Sequence, residues 1–248
     1  MKPQILHLDQ VDSTNIFLGA LSREKTLESG FVVWAEDQSA GRGQMGTSWK
    51  SRKGENLTFS IYIRWKDFPI EEQFLFQQMI SLSLVYILES YGLKDLRVKW
   101  PNDIYCGDEK IAGVLVENSL MGSTIDASII GIGLNVNQKD FSEIDKRATS
   151  MAEKLNQVID RSMLLQKISS DLLFKSKKIR QHKSVYQSSY LEQLYHGDGM
   201  YWYIDTKKNR FQAKIQGIDS IGRLILEKLD GTCTTYDLKE VTFLNDLD

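Results

Sequence analysis

The chain has 248 residues, 42% hydrophobic and 26% charged, so it can bury a sizeable core as one large domain or two smaller ones. Its 31 lysine and arginine residues nearly balance 33 aspartate and glutamate residues, and the net charge of -2 gives no overall field that attracts nucleic acid. The N-terminus lacks an apolar segment with a cleavage site, and no stretch reaches the roughly 18 apolar residues of a membrane span. We therefore expect a cytoplasmic protein without a nucleic-acid or membrane partner.

Strands and helices alternate along the first 195 residues. N-cap side chains at residues 12–15 precede an apolar run and predict the start of a short helix. The other predicted elements are a buried strand at 31–34, a half-buried strand at 57–63, a core helix at 72–91, strands at 96–100, 111–117 and 125–136, a helix from 161 to 181 and a second short helix up to 195. Hairpin-like spacing of the strands favours mostly antiparallel pairing.

Residues 37–56 form an unusually long predicted loop, and loops of this length within a compact domain are usually functional or disordered. Gly41, Gly43 and Gly46 have the spacing of a dinucleotide-binding turn. However, four residues separate them from the preceding strand and no amphipathic helix follows, so we reject that interpretation. A Walker loop is rejected because Thr47 stands where that motif has its lysine.

Two interpretations of the glycine loop remain open. In one, the loop folds over an anion: the glycines permit close backbone approach, Arg42 binds phosphate oxygens and Trp49 stacks on a purine. In the other, it is a solvated surface loop. The loop alone does not decide between them.

A polar segment, Lys99-Trp100-Pro101-Asn102-Asp103, follows the strand at 96–100. A rigid sheet can present such strand-end groups to a ligand. Asn102 and Asp103 also suit a plain turn and Trp100 suits a core, so the segment alone favours a structural role.

Two later strands carry residues suited to a ligand site. Lys110 lies at the start of one strand, where it can neutralise a carboxylate and a phosphate. However, solvated lysines are also common at sheet edges, where they prevent pairing with other strands. Gly113 leaves room for a ligand against this strand. The other strand contains Gly131 and Gly133, which have no side chain, and Asn135, whose amide is suited to hydrogen bonding with adenine or phosphate.

The sequence changes character near residue 197, where short strands broken by turns begin. The predicted strands lie at 201–205, 211–218, 223–229 and 232–236, with a hairpin signal at Asp230 and Gly231. We predict a domain of residues 1–195 followed by a small β domain of residues 196–248, which resembles an SH3-like β-barrel.

Five segments, at 12–15, 38–43, 99–103, 110–113 and 131–135, together resemble the biotin-protein ligase family in order and spacing, and 148–151 resembles a sixth. The pattern of the predicted elements indicates an α+β fold with a mixed, largely antiparallel sheet carrying helices, and the resemblance implies that this fold is of the class II synthetase type. The resemblance further implies that biotin is activated with ATP and Mg²⁺ to biotinyl-5'-AMP, and then transferred to a lysine of a biotin carboxyl carrier protein or domain of a carboxylase. The sequence assigns no metal ligand.

The resemblance also implies roles for individual residues. Arg42 and Lys110 would be catalytic by balancing charge on carboxylate and phosphate. Asp103 would help to deprotonate the acceptor lysine, with charge balancing or metal positioning as the competing role. The expected biotin-binding residues are Ser13, Thr14, Asn15, Gln38, Gly41, Arg42, Gly43, Gln44, Lys110, Gly113 and Leu115. The expected adenylate-binding residues are Arg42, Trp49, Asn102, Lys110, Gly131, Gly133 and Asn135.

The chain departs from the family pattern in two ways. It begins at the catalytic region without room for an N-terminal helix-turn-helix domain, so we expect a monofunctional enzyme that binds no operator. Gln44 replaces a frequent arginine and loses a charge, which predicts weaker retention of the adenylate. A lipoate-protein ligase or related acyl-adenylate transferase and a non-catalytic biotin-binding module remain alternatives, and the oligomeric state is open between monomer and homodimer.

Overall fold

The computed structural model describes residues 2–142 and 147–244. The larger part contains seven strands, β1 (Gln4–Val11), β2 (Phe31–Gln38), β3 (Leu57–Pro69), β4 (Leu96–Lys99), β5 (Asp103–Cys106), β6 (Glu109–Met121) and β7 (Thr124–Leu134). Its helices are α1 (Thr14–Glu24), α2 (Phe74–Glu89), α3 (Met151–Leu155), α4 (Arg161–Ser176) and α5 (Lys183–Glu192). Among the described residues no helix is both long and apolar enough to cross a bilayer.

The seven strands form one sheet in the order β1-β2-β3-β7-β6-β5-β4. Among these seven described strands, β1 and β2 alone pair in parallel, and α1 provides the crossover that such a pair requires. All the other neighbours are antiparallel. The predicted mixed, largely antiparallel sheet with helices is therefore confirmed.

Strand β3 is buried on both faces, so the prediction of a half-buried strand was wrong. Phe59 and Ile61 face the main core, which includes residues of α2 and α4. Tyr62, on the opposite face, packs in a second cluster with Leu18 of α1. Ser60 on that face is fully buried as well. The alternation of polar and apolar residues therefore marks two different buried environments.

Helix α2 confirms the predicted core helix, but its burial extends beyond one stripe. Leu75, Met79 and Leu82 are buried as expected, whereas Tyr86 is 48% exposed. Gly92 adopts φ +101° just beyond the helix, as expected for a C-terminal stop.

The C-terminal part is a five-stranded antiparallel sheet in the order β11-β10-β9-β8-β12. Its strands are β8 (Tyr201–Asp205), β9 (Arg210–Ile218), β10 (Leu224–Lys228), β11 (Cys233–Tyr236) and β12 (Val241–Phe243). The first four match the predicted strands. In the described part of the chain β11 and β12 lie at opposite edges, so the sheet is not closed into a barrel.

The C-terminal sheet is attached to the polar segment that follows β4. Trp100 donates its indole N–H to the carbonyl of Gly222 at 2.8 Å. The backbone of Gly222 lies so close to Phe74 that an added Cβ would be 2.4 Å from the ring. These contacts fix the position of the C-terminal sheet beside the ends of β4 and α2.

A largely buried ion pair joins β2 to α4. Arg161 Nη1 lies 2.8 Å from Glu36 Oε2, and their side chains are 18% and 16% exposed. His7 Nε2 lies 2.7 Å from the other Glu36 oxygen. Burial raises the pKa of Glu36, but hydrogen bonds and charge from Arg161 and His7 outweigh this effect and lower the pKa below its ordinary 4.5.

This ion pair predicts a pH-dependent stability. Because the folded-state pKa is lowered, the Glu36 carboxylate stabilises the fold above its ordinary pKa, and this contribution disappears as the pH falls through the folded-state value. We expect Glu36→Gln to lower the free energy of urea unfolding at pH 7, with a deficit that shrinks below pH 4.5. The control is Glu28→Gln, at an exposed position. A deficit that stayed constant across this pH range would contradict the assignment.

Candidate active site

A cavity of about 350 Å³, called the first cavity, lies over the part of the sheet that contains Gly113 of β6 and Gly131 and Gly133 of β7. It collects most of the predicted site residues, namely Ser13, Thr14, Asn15, Gln38, Arg42, Gly43, Gln44, Trp49, Asn102, Asp103, Lys110, Gly113, Leu115, Gly131 and Gly133. Segments far apart in sequence therefore share one pocket. The predicted residues Gly41 and Asn135 do not line it.

A polar network occupies the end of the cavity at the start of α1. Gln38 Oε1 accepts hydrogen bonds from the backbone N–H and the hydroxyl of Thr14, at 2.8 and 3.1 Å. The buried Ser60 hydroxyl contacts both Thr14 Oγ1 and Asn15 Oδ1. The network places amide and hydroxyl groups in fixed positions on a largely buried wall, as recognition of a small polar ring requires.

The same network extends to the glycine loop. Asn15 Nδ2 donates to Glu117 Oε2 at 2.7 Å. The other Glu117 oxygen lies 3.0 Å from Arg42 Nη1. Arg42, 46% exposed, is thus held by a carboxylate at the cavity rim.

The glycine loop forms a small hairpin. Gly43 N–H donates to Thr47 O at 2.7 Å, and Trp49 N–H donates to Gly41 O at 2.9 Å. Gly41 is required because an added Cβ would lie 2.3 Å from the Trp49 carbonyl oxygen. Met45, at the tip, has φ +50°.

The hairpin packs Trp49 directly on the sheet. A Cβ added to Gly133 would lie 2.2 Å from Trp49 Cε2, so only glycine permits this approach. A Cβ added to Gly131 would lie 2.3 Å from Asn15 Oδ1. The two glycines of β7 therefore allow the tryptophan and the asparagine to sit on the strand.

Trp49 separates the cavity from a second one of about 230 Å³, which is lined by Ser48, Trp49, Lys50, Lys110, Asn135, Phe141 and Ala148. The indole N–H of Trp49 is buried and has no hydrogen-bond partner among the described residues. An unsatisfied donor beside an aromatic face is suited to a planar heterocycle. The second cavity also accounts for Asn135, which lines it.

Lys110 stands between the two cavities and lines both. Its ammonium lies 2.7 Å from Asp103 Oδ2, and both side chains are 25% exposed. It also lies 5.6 Å from the centre of the Trp49 ring. The cation is therefore held by a carboxylate and an aromatic face at the point where the cavities meet.

Asn102 and Asn135, two residues predicted to contact the ligand, already donate side-chain hydrogen bonds within the protein. The Asn102 side-chain amide donates to the Val114 carbonyl. The Asn135 side-chain amide donates to the Thr149 carbonyl at 3.0 Å. Both side chains are buried, at 9% and 4% exposure, and they fix neighbouring segments of the cavity walls.

Sequence reasoning missed several lining residues, among them Phe59, Ile132, Tyr105, Leu238 and Lys239. Phe59 and Ile132 lie on predicted strands, but strand alternation does not tell which buried face borders a ligand. Leu238 and Lys239 come from the connection between β11 and β12, and no motif marks them.

The chain is similar to a known protein family and to several of its members. The model of the Biotin/lipoate A/B protein ligase family matches residues 8–135. The bifunctional ligase/repressor BirA of Bacillus spizizenii is 30% identical over 247 residues, which cover 95% of this chain and 73% of that protein. The biotin–[acetyl-CoA-carboxylase] ligase of Mycobacterium tuberculosis is 30% identical over 166 residues, covering 66% of this chain and 60% of that protein.

A solved structure supports the same placement. The biotin protein ligase of Aquifex aeolicus, determined in complex with biotin and ATP, superimposes with a TM-score of 0.80 at 26% identity and covers 98% of this chain and 99% of that one. The family model covers more than half of the chain, including the polar network, the glycine loop and Lys110. The chain therefore belongs to the Biotin/lipoate A/B protein ligase family.

Proposed function

We propose that the protein is a biotin-protein ligase. It activates biotin with ATP to biotinyl-5'-AMP and transfers the biotinyl group to a lysine of a biotin carboxyl carrier protein or domain. The observation that carries this proposal is the position of Lys110, which stands between a polar-ended cavity and a second cavity across Trp49. The similarity to the biotin–[acetyl-CoA-carboxylase] ligase of Mycobacterium tuberculosis and to the biotin protein ligase of Aquifex aeolicus supports biotin as the acid and a carboxylase as the source of the acceptor.

Biotin lies in the first cavity with its ureido ring at the polar end. Thr14, Asn15 and Gln38 supply the hydrogen-bonding groups there, and Ser60 holds two of them in place. The apolar chain lies along β6 past Gly113, where a larger side chain would crowd Asp103, Trp49 and Lys110. This path directs the carboxylate towards the Lys110 ammonium.

ATP lies on the other side, with its adenine against Trp49 and its phosphates towards Lys110 and Arg42. Asp103 is the lining carboxylate that would hold a magnesium ion bound with ATP, and that ion would reduce the negative charge of the phosphates. The described residues contain no group of three or more histidine, cysteine, aspartate or glutamate side chains that could hold a metal ion alone.

The chemistry needs positioning and charge compensation more than a protein nucleophile. A biotin carboxylate oxygen attacks the α-phosphorus, the bond to the β-phosphate oxygen breaks and pyrophosphate leaves. Lys110 faces both reacting anions and reduces their repulsion, while Arg42 exchanges Glu117 for phosphate oxygens. In the second step the acceptor amine attacks the acyl carbon, AMP leaves and the amine gives up a proton.

Asp103 is proposed as the group that assists this deprotonation. Its ion pair with Lys110 also suits it to balancing the charge of Lys110, and charge balancing or metal positioning is the competing role. If it assists deprotonation, Asp103→Asn should slow acceptor transfer from preformed biotinyl-5'-AMP by about 10²-fold, in the range of general acid–base contributions. Single-turnover transfer at saturating acceptor measures this rate. Unchanged transfer together with slower adenylate formation would leave Asp103 with the competing role alone.

The proposal also covers the domain organisation of the protein, its location, its oligomeric state and its partners. The five-stranded C-terminal sheet is supported as a separate domain of residues 196–248 by its own hydrogen-bonded strand order, and we propose that it is of the SH3-like type. Residues 1–195 then form the catalytic domain. We also propose a cytoplasmic monomer or homodimer without a nucleic-acid partner, as the balanced charge suggests.

Pyrophosphate release tests the proposed activity. With MgATP, the protein should release pyrophosphate when biotin is added and much less when lipoate is added. A preference for lipoate would favour the lipoate-ligase alternative. Tight biotin binding in calorimetry without any pyrophosphate would favour a non-catalytic binding module.

A further inference from the structure

The turn between β11 and β12 reaches the candidate active site. Leu238 and Lys239 line the first cavity, whereas every other described lining residue lies at or before position 133. Asp237 and Glu240 close this turn: the Glu240 N–H donates to the Asp237 carbonyl at 3.0 Å, and the Asp237 N–H donates to Glu240 Oε2 at 2.8 Å. The C-terminal sheet thus contributes a defined turn to the site.

Lys239 joins this turn to the tip of the glycine loop. Its ammonium donates to the Met45 carbonyl at 2.6 Å, across 194 positions of sequence. Met45 lies between Gly43 and Thr47, whose backbone hydrogen bond closes the hairpin. The contact therefore ties the hairpin tip, rather than its base, to the C-terminal sheet.

Both residues joined by this hydrogen bond have a left-handed backbone conformation. Met45 has φ +50° and Lys239 has φ +70°. Residues other than glycine adopt this conformation at a cost, and it persists where surrounding contacts enforce it. The closed turn and the closed hairpin provide such contacts, so the two groups are held facing each other.

The charge of Lys239 is not neutralised by a carboxylate in the part of the chain that the structure describes. Arg42 pairs with Glu117, and Lys110 pairs with Asp103. Lys239 has only the Met45 carbonyl as its hydrogen-bond partner in residues 2–142 and 147–244. It therefore adds an uncompensated positive charge to the first cavity, which under the proposed function holds the biotinyl group and is also lined by Arg42 and Lys110, the two cations that face the phosphate.

We infer that Lys239 is a positioning residue that fastens the glycine loop over the bound acyl-adenylate and slows its release. This inference rests on the proposed function. The ammonium bonds the loop tip and adds positive charge to the cavity that receives the anionic acyl-adenylate, so both effects act against opening of the loop. The Trp100–Gly222 hydrogen bond keeps the C-terminal sheet in place while Lys239 acts.

The test is the dissociation rate of labelled biotinyl-5'-AMP, formed on the enzyme and then chased with unlabelled compound. We expect Lys239→Met to increase this rate about tenfold, which corresponds to about 1.4 kcal/mol. Lys239→Arg, which keeps a cationic donor, should retain most of the slow release. Lys207→Met, at an exposed lysine of the same C-terminal part, is the matched control. The melting temperature should stay unchanged in all three variants, and Lys207→Met should also keep the wild-type rate of transfer from saturating adenylate.

The outcomes separate the two claims. If the wild-type protein forms no adenylate, the proposed function fails. If it forms the adenylate and Lys239→Met releases it at the wild-type rate, the role of Lys239 is refuted. Faster release accompanied by an equal effect in Lys207→Met, or by a lower melting temperature, would reduce the effect to general destabilisation and also refute it.

Discussion

Replacement of Lys110 by methionine should lower the rate of biotinyl-adenylate formation by about 10²- to 10³-fold, the usual effect of losing one group that stabilises transition-state charge. Lys110 Nζ is placed between the two cavities, beside Asp103 and the Trp49 ring. Methionine keeps much of the side-chain length but leaves the carboxylate and the phosphate to repel each other. Biotin-dependent pyrophosphate release, followed at saturating ATP and biotin, measures the effect.

Lys66→Met is the matched control for this prediction, because Lys66 is an exposed lysine of β3. The control should keep wild-type activity and stability. Pyrophosphate release by Lys110→Met at close to the wild-type rate would show that Lys110 does not face the reacting anions. Circular dichroism distinguishes the expected loss of activity from loss of the folded state. We expect Lys110→Met to remain folded, because Lys110 is only partly buried.

Replacement of Gly133 by alanine should weaken the binding of ATP. The new Cβ would lie 2.2 Å from Trp49 Cε2, and the indole ring must therefore move away from the strand. Stacking of a base on an aromatic side chain contributes about 1–3 kcal/mol, so we expect the KM for ATP to rise by about 10- to 100-fold. Biotin binding without ATP should change much less.

Two further variants make the Gly133 prediction specific. Gly217→Ala introduces the same methyl group into β9 where nothing lies within 4 Å, and it should leave the KM unchanged. Trp49→Ala should reproduce the Gly133→Ala defect. The double variant should then show little additional loss, because both changes remove one interaction. Fully additive losses would mean that Gly133 acts independently of Trp49.

The sequence predicted the parts of the fold that have a strong local signal. The long core helix, the β6–β7 region and the four C-terminal strands β8 to β11 were found from periodicity and turn residues. Strand β1 was missed because its burial alternates poorly, and β5 was interpreted as a turn because Asn102 and Asp103 favour turns. Strand β12 has only three residues, too few to show a period.

The candidate site was predictable where segments carry recognisable polar and glycine patterns, and unpredictable where tertiary packing creates it. Arg42, Trp49 and Lys110 were identified from the sequence, and the structure brings them together. Their partner Glu117 was not identified, because a carboxylate near the end of an apolar strand segment has no local pattern. Lys239 was missed for the same reason, since only the docking of the C-terminal sheet places it beside Met45.

Mass spectrometry of a biotin carboxyl carrier domain tests the central claim most directly. After incubation with the protein, biotin and MgATP, the carrier should gain the mass of one biotinyl group, located on a single lysine. The gain should be absent without ATP and strongly reduced with Lys110→Met. An unmodified carrier in the presence of all components, with a folded wild-type protein and a carrier that a known ligase can biotinylate, would contradict the proposed activity.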